Sequence, residues 1–182
     1  IKRGVKMFIN KFIVAIIICF GYGGTGYATD QPLGEDYPLK FHANYLEMTI
    51  EGDKWFATNA KESDTNFLNY LFLDAEIMKF YGAGPSVNSQ DVLDRTLNLW
   101  LPRFRAGEPH GGLIVWDKLN KTPLGFILAG LTSKPGVAGL SYAYIPSIWG
   151  KGIGSDVLKG FIEQWALEVR KRGLAKNTSA TP

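Results

Sequence analysis

From Val137 to Val169 the chain reads as a strand, a glycine-punctuated turn and an amphipathic helix with almost nothing between them. "VAGLSYAYI" (Val137–Ile145) is the strand, and "PSIWGKGIG" follows with Gly150, Gly152 and Gly154 at alternate positions. Val157, Leu158, Phe161, Ile162, Trp165, Ala166 and Val169 then recur at helical spacing, a single apolar stripe that must lie on another layer. Asp156 in the first turn and Arg170, Lys171 and Arg172 in the last suit the helix dipole, and Gly173 stands where such a helix stops. A chain with this segment is committed to a mixed α and β architecture, with strands passing into helices through short connections.

Upstream, "GGLIVWD" and "PLGFILAGLT" (Pro123–Thr132) are strand-like, and "KPGV" places Pro135 and Gly136 at the centre of a type II turn. With Val137–Ile145 they predict a three-stranded antiparallel meander. "KWFATNA" (Lys54–Ala60) predicts a further strand and "YLEMTI" (Tyr45–Ile50) a short one. Phe67, Leu68, Leu71, Phe72, Leu73, Ile77, Met78 and Phe80 predict one helix, capped by Ser63 or Asp64 and stopped at Gly82. Pro85–Phe104 predicts a second, with Val92, Leu93, Leu97 and Trp100 on one side. Trp100 and Phe104 read either as core or as the lining of a substrate pocket.

The N-terminus carries an address. Lys2, Arg3, Lys6 and Lys11 precede the apolar run Phe12–Phe20, and Gly26 and Ala28 are the small residues that a signal peptidase needs. That run is well short of the ~20 residues that cross a bilayer. The expectation is a secretory signal and no stable membrane span in the mature chain, so the protein is secreted or periplasmic if the signal is used and cytoplasmic otherwise. Cys19, the single cysteine, lies inside this segment, which leaves the mature chain without a disulfide or a thiolate nucleophile. "GYGGTG" (Gly21–Gly26) spells a dinucleotide-binding loop, but the prolines after it deny the helix that such a loop must open. Much of the formal charge of +3 sits in the first dozen residues, so no nucleic-acid footprint is read from it.

A strand ending in a glycine-rich turn that opens a helix presents unpartnered N–H groups and the positive end of a dipole at one spot. Lys151 adds charge and Ser155 a hydroxyl. Two readings stay open on these residues alone: a phosphate or pyrophosphate cradle, or a tight strand-to-helix turn. A Walker loop is excluded, because Gly152 follows the lysine where Ser or Thr must bind Mg²⁺. Candidate bases are Asp74 and Glu76, which also read as a solvated helix end, and His110, which also reads as part of a polar loop.

Pro146, Trp149, Gly150, Lys151 and Gly152 match the "P-x-x-W-G-K-G" spelling of one acetyltransferase branch, and Ser155-Asp156 resembles its "T-E". "AKESDTNFLNYLFLDAEIMKFYG" and "PLGFILAG" look like that branch's first helix and third strand. Over roughly Lys54 to Leu174 the chain resembles the GNAT superfamily of N-acetyltransferases, and within it the ribosomal-protein-alanine acetyltransferase-like branch. The resemblance implies an α/β (α+β) fold with a mostly antiparallel central sheet, and acetyl-CoA as cosubstrate with no metal. It implies binding by Tyr144, Ile145, Trp149, Gly150, Lys151, Gly152, Ile153, Gly154 and Ser155. The acceptor would be a primary amine of a protein N-terminus or a small molecule. Glu76, His110 and Ser141 are the candidate catalytic groups; Gly139 stands where the branch often has a Glu.

The family continues past its third helix with further strands and a helix, and this chain has only "RGLAKNTSATP" there. The expected organisation is a signal peptide over 1–28, an extension over 29–53, an incomplete acetyltransferase-like domain over 54–176 and a tail over 177–182. An incomplete sheet leaves an open edge and predicts self-association through it. The functional alternative is an exported, catalytically impaired remnant of the fold that acts as a binding module.

Overall fold

Residues 17–19, 39–42, 45–79, 81, 88–132 and 137–171 are described by a computed structural model of the chain. The expected "KPGV" turn, the "GYGGTG" stretch, and the stops at Gly82 and Gly173 lie outside them. Among the described residues seven strands form one sheet: β1 (Ile17–Cys19), β2 (Leu39–His42), β3 (Tyr45–Glu51), β4 (Trp55–Asn59), β5 (Gly112–Asp117), β6 (Pro123–Leu131) and β7 (Val137–Tyr144). Their order is β1-β7-β6-β5-β4-β3-β2, and each neighbouring pair is antiparallel. The expected meander is β5–β6–β7. It is lengthened on one side by β4, β3 and β2, so the short strand expected over Tyr45–Ile50, within the extension, is hydrogen-bonded into the same sheet as β3.

The register sorts residues onto two faces. Gly112, Ile114, Phe126, Leu128 and Ser141 fall on one, because Ile114 pairs with Phe126 and Leu128 with Ser141. Helices α1 (Thr65–Leu73), α2 (Ala75–Met78), α3 (Ser89–Arg95) and α4 (Leu101–Arg105) supply the layer over that face. Its centre is Phe126, whose ring centroid is 5.0 Å from Phe72, 5.7 Å from Trp100 and 6.1 Å from Tyr81. The opposite face carries Ile127, Ala129, Leu140, Tyr142 and Tyr144 and is covered by α5 (Ile153–Lys171). Covered on both sides, β6 is buried continuously from Leu124 to Ile127 instead of alternating. The α5 stripe behaves as its spacing requires: Val157, Phe161, Trp165 and Val169 are buried.

Both expected helices of the first layer are subdivided. The one predicted to run on to Gly82 breaks at Asp74, whose backbone is extended and whose carboxylate accepts from the N–H groups of Glu76 and Ile77, both at 2.9 Å. An aspartate that caps a new helix from inside an old one ends the old one. The second begins at Ser89 with Asn88 as cap, then widens into a π turn over Thr96–Trp100 before α4. That widening immediately precedes Pro102, which has no N–H to give and whose ring would crowd the carbonyl four residues back.

Two further joints hold the sheet together. Beyond Thr49 the β3–β4 ladder ends, and the buried Asn59 side chain continues it: the Met48 N–H donates to its Oδ1 (2.6 Å) and its Nδ2 donates to the Leu46 carbonyl (2.8 Å). At the other side, Ile17, Ile18 and Cys19 lie opposite Gly139, Ala138 and Val137. The edge expected to be bare is therefore covered over Val137–Gly139 by a piece of the N-terminal apolar run. Among the described residues no strand covers Leu140–Tyr144.

Candidate functional site

The backbone of β7 sets the geometry of its uncovered half. The Ile145 N–H donates to the Leu124 carbonyl at 2.9 Å, which fixes which pairs of the β6–β7 ladder are hydrogen-bonded. Because such pairs alternate, Ser141 and Ala143 turn their backbone groups toward β6, while Leu140, Tyr142 and Tyr144 turn theirs outward. The Tyr144 carbonyl is taken by the indole N–H of Trp149 (2.8 Å). The outward amide of Tyr144 and the outward N–H and C=O groups of Leu140 and Tyr142 have no partner among the described residues.

At the end of this edge the chain turns through a short 3₁₀ segment, Pro146–Ile148, and enters α5. Gly150 and Gly152 hold φ of +71° and +79°, the left-handed region that glycine enters without strain. A Cβ on either would meet nothing within 4 Å, so the turn is open on its outer side. The Lys151 N–H returns to the Ile148 carbonyl (3.3 Å), and intrahelical bonding begins at Asp156, whose N–H reaches the Gly152 carbonyl (3.1 Å). The amides of Gly152, Ile153, Gly154 and Ser155 are left without acceptors among the described residues, as a helix start leaves them. Lys151 and Ser155 are exposed beside them.

Gly154 does a different job from the other two. The Tyr144 ring is slotted between it and Gly125: a Cβ on Gly154 would stand 3.2 Å from the ring, and one on Gly125 would stand 2.5 Å from it. This slot clamps α5 to the end of β7. The Tyr144 hydroxyl is buried with no hydrogen-bond partner, and burial, with Tyr142 nearby, pushes it well above the usual phenol range. A second clamp comes from Trp55 on β4, whose indole N–H donates to the Asp156 carboxylate at 2.7 Å while its ring lies against Gly160. Neither clamp was evident in the sequence; an acid in a first helical turn signals a dipole, not a tryptophan partner.

The other side of the sheet has a cavity of about 280 Å³, lined by Phe72, Tyr81, Leu99, Trp100, Arg103, Leu128, Gly130 and Leu131. Trp100 is buried core and also lines this cavity, whereas Phe104 is wholly buried core against Gly111.

The three candidate catalytic residues are not brought together. Glu76 is exposed on α2, and its neighbour Asp74 is occupied as a cap. His110 is buried beside α5: its Nδ1 lies 3.3 Å from the Ala129 carbonyl, which can only accept, and its ring meets Trp165 edge-on at 5.7 Å. Burial holds its imidazole below the usual range, the Ala129 carbonyl opposes this and Arg103 adds to it, so the ring is neutral at pH 7. Ser141 is half-buried on β7, on the same sheet face as the cavity-lining Leu128 with which it pairs. Among the described residues no group of three or more His, Cys, Asp or Glu could hold a metal, and no helix is long and apolar enough to cross a membrane.

No protein-family model and no curated protein matches the sequence. A solved structure does: an acetyltransferase (GNAT family) from Bacillus anthracis superposes with a TM-score of 0.53 over 68% of this chain and 69% of that one, at 13% identity. The fold is that of the GNAT acetyltransferases. In this GNAT fold, the loop expected to cradle an anion and the uncovered half of β7 form one continuous surface, joined through Trp149 and Tyr144.

Proposed function

We propose that the chain is an acetyl-CoA-dependent N-acetyltransferase acting on a primary amine. One observation carries the reading: a strand edge whose outward N–H and C=O groups have no partner among the described residues leads, through one short 3₁₀ segment, to an open glycine turn with four amides equally without partners there. A ligand with an anion at one end and an amide-bearing arm matches both halves. The amides of Gly152–Ser155, with Lys151, would hold the pyrophosphate, and the outward groups of Tyr142 and Leu140 would bond the pantetheine arm. Tyr144, Ile145 and Trp149 shape the corner between them. Bound acetyl-CoA supplies an activated acyl thioester, and outward β7 amides are the donors available to its carbonyl oxygen. The amine must lose a proton, and Ser141 is the candidate that shares β7 with the open edge; we assign its hydroxyl to passing that proton to solvent. Pro146, Trp149, Gly150, Lys151 and Gly152 support placement near the ribosomal-protein-alanine acetyltransferase-like branch.

The test is calorimetric titration of the full chain with acetyl-CoA, followed by thiol release in the presence of a panel of primary amines. Saturable binding with amine-dependent thiol release is expected. Absence of binding removes the reading, and binding without release under any amine assigns the chain to the binding-module alternative.

A further inference from the structure

We infer that the cavity between α1, the π turn, α4 and β6 receives the acceptor, and that it selects an amine carrying an apolar or aromatic body and a carboxylate held by Arg103. The inference rests on the acetyl-transfer reading for the word acceptor, and on the cavity alone for the ligand's chemistry. At about 280 Å³ the cavity falls just below the ~300 Å³ at which drug-sized pockets begin, a size that suits a metabolite of amino-acid scale. Its walls are Phe72, Tyr81, Trp100, Leu99, Leu128 and Leu131, so the body of the ligand is apolar.

Among the described residues Arg103 is the one charged member of that lining. Its Nη1 donates to the His110 carbonyl at 2.8 Å, which fixes the guanidinium without neutralising it. Its remaining N–H groups have no acceptor, and no carboxylate pairs with it, among the described residues. A rigid, half-buried guanidinium at an aromatic wall is matched to a planar anion by two parallel hydrogen bonds. A single positive charge balances a carboxylate and leaves a phosphate dianion under-compensated. Placement ties this ligand to the acyl donor: Leu128 pairs with Ser141, so the cavity wall is one strand spacing, about 4.8 Å, from the strand with the open edge.

The experiment uses a matched set of small ligands on the full chain: 3-phenylpropionate, phenethylamine and L-phenylalanine, titrated calorimetrically against wild type, Arg103→Gln and Arg103→Lys. Both carboxylates are expected to bind at least tenfold more tightly than phenethylamine. Arg103→Gln should erase that preference and Arg103→Lys should restore part of it. Leu131→Trp, which fills the cavity from a partly exposed position, should abolish binding of all three and keeps the test valid if Arg103→Gln fails to fold. Equal binding of phenethylamine, unchanged carboxylate affinity in folded Arg103→Gln, or unchanged binding in Leu131→Trp overturns the inference. Acetyl-CoA is titrated separately: its failure to bind while 3-phenylpropionate still does overturns the acetyl-transfer reading and leaves the ligand assignment standing.

Discussion

Gly152→Ala separates a glycine that serves a turn from a glycine that serves a ligand. Gly152 has φ of +79° and open space where its Cβ would project, so alanine there meets no neighbour and costs only backbone strain. Left-handed backbone costs a non-glycine residue about 1–2 kcal/mol, which for a domain of this size lowers Tm by roughly 3–6 °C. Gly107, with φ of +76° in the turn after α4, is a control that shares the left-handed backbone and lies away from the loop. Binding is expected to part the two. The methyl on Gly152 stands where an anion must approach the amides of Ile153 and Gly154, and losing one charge-assisted hydrogen bond of about 1.5–3 kcal/mol weakens binding about 10- to 100-fold. Urea melts and calorimetric titration with acetyl-CoA on wild type, Gly107→Ala and Gly152→Ala read both quantities. If Gly152→Ala is destabilised like Gly107→Ala yet binds acetyl-CoA as wild type does, the cradle assignment is wrong and the glycines only turn the chain.

Two other outcomes follow from geometry away from the loop. The bond from Trp55 to Asp156 is partly exposed but charge-assisted, so a double-mutant cycle of Trp55→Phe with Asp156→Asn should give a coupling of about 1–2 kcal/mol in urea denaturation; a coupling near zero would mean that the clamp is packing alone. His110 takes up a proton near pH 6.5 when unfolded and only at lower pH when folded, so the unfolded state carries more protons below that value. Stability is therefore full above pH 6.5 and falls as pH drops, by at most ~1.4 kcal/mol per pH unit for one proton. His110→Gln should flatten this limb of the stability profile, with His42 present in both proteins, and an unchanged slope refutes the assignment.

What could be read from the sequence was what repeats with a period. The stripe from Val157 to Val169 and the alternating burial of β4 follow a period, whereas β5 and β6 show as short continuous apolar runs, the mark of strands covered on both faces. Asp74 could not be read so, since a helix interior and a helix cap accept the same residue, and only the extended backbone at Asp74 decides between them. Asn59 was hidden for a similar reason: a polar residue at a strand end looks like a turn, not like a side chain standing in for a missing rung. β2 alternates apolar and polar residues, but four residues directly after Pro38 are too short a run to declare a strand. In the candidate site, the glycine turn was legible because strand, loop and helix are contiguous. Gly154 was given the same role as Gly150 and Gly152, because nothing in the spelling reveals the Tyr144 ring beneath it. The cavity was illegible as a unit. Its lining comes from several elements, and Arg103 looks like any basic residue in a last helical turn.

The pairing of Ile17–Cys19 with Val137–Gly139 makes a piece of the N-terminal apolar run part of the sheet. Were that run removed or held elsewhere, the chain would keep the glycine turn but present a longer naked strand to every other copy around it. Whether the chain stays single would then depend on three residues that stand far in sequence from the strand they cover.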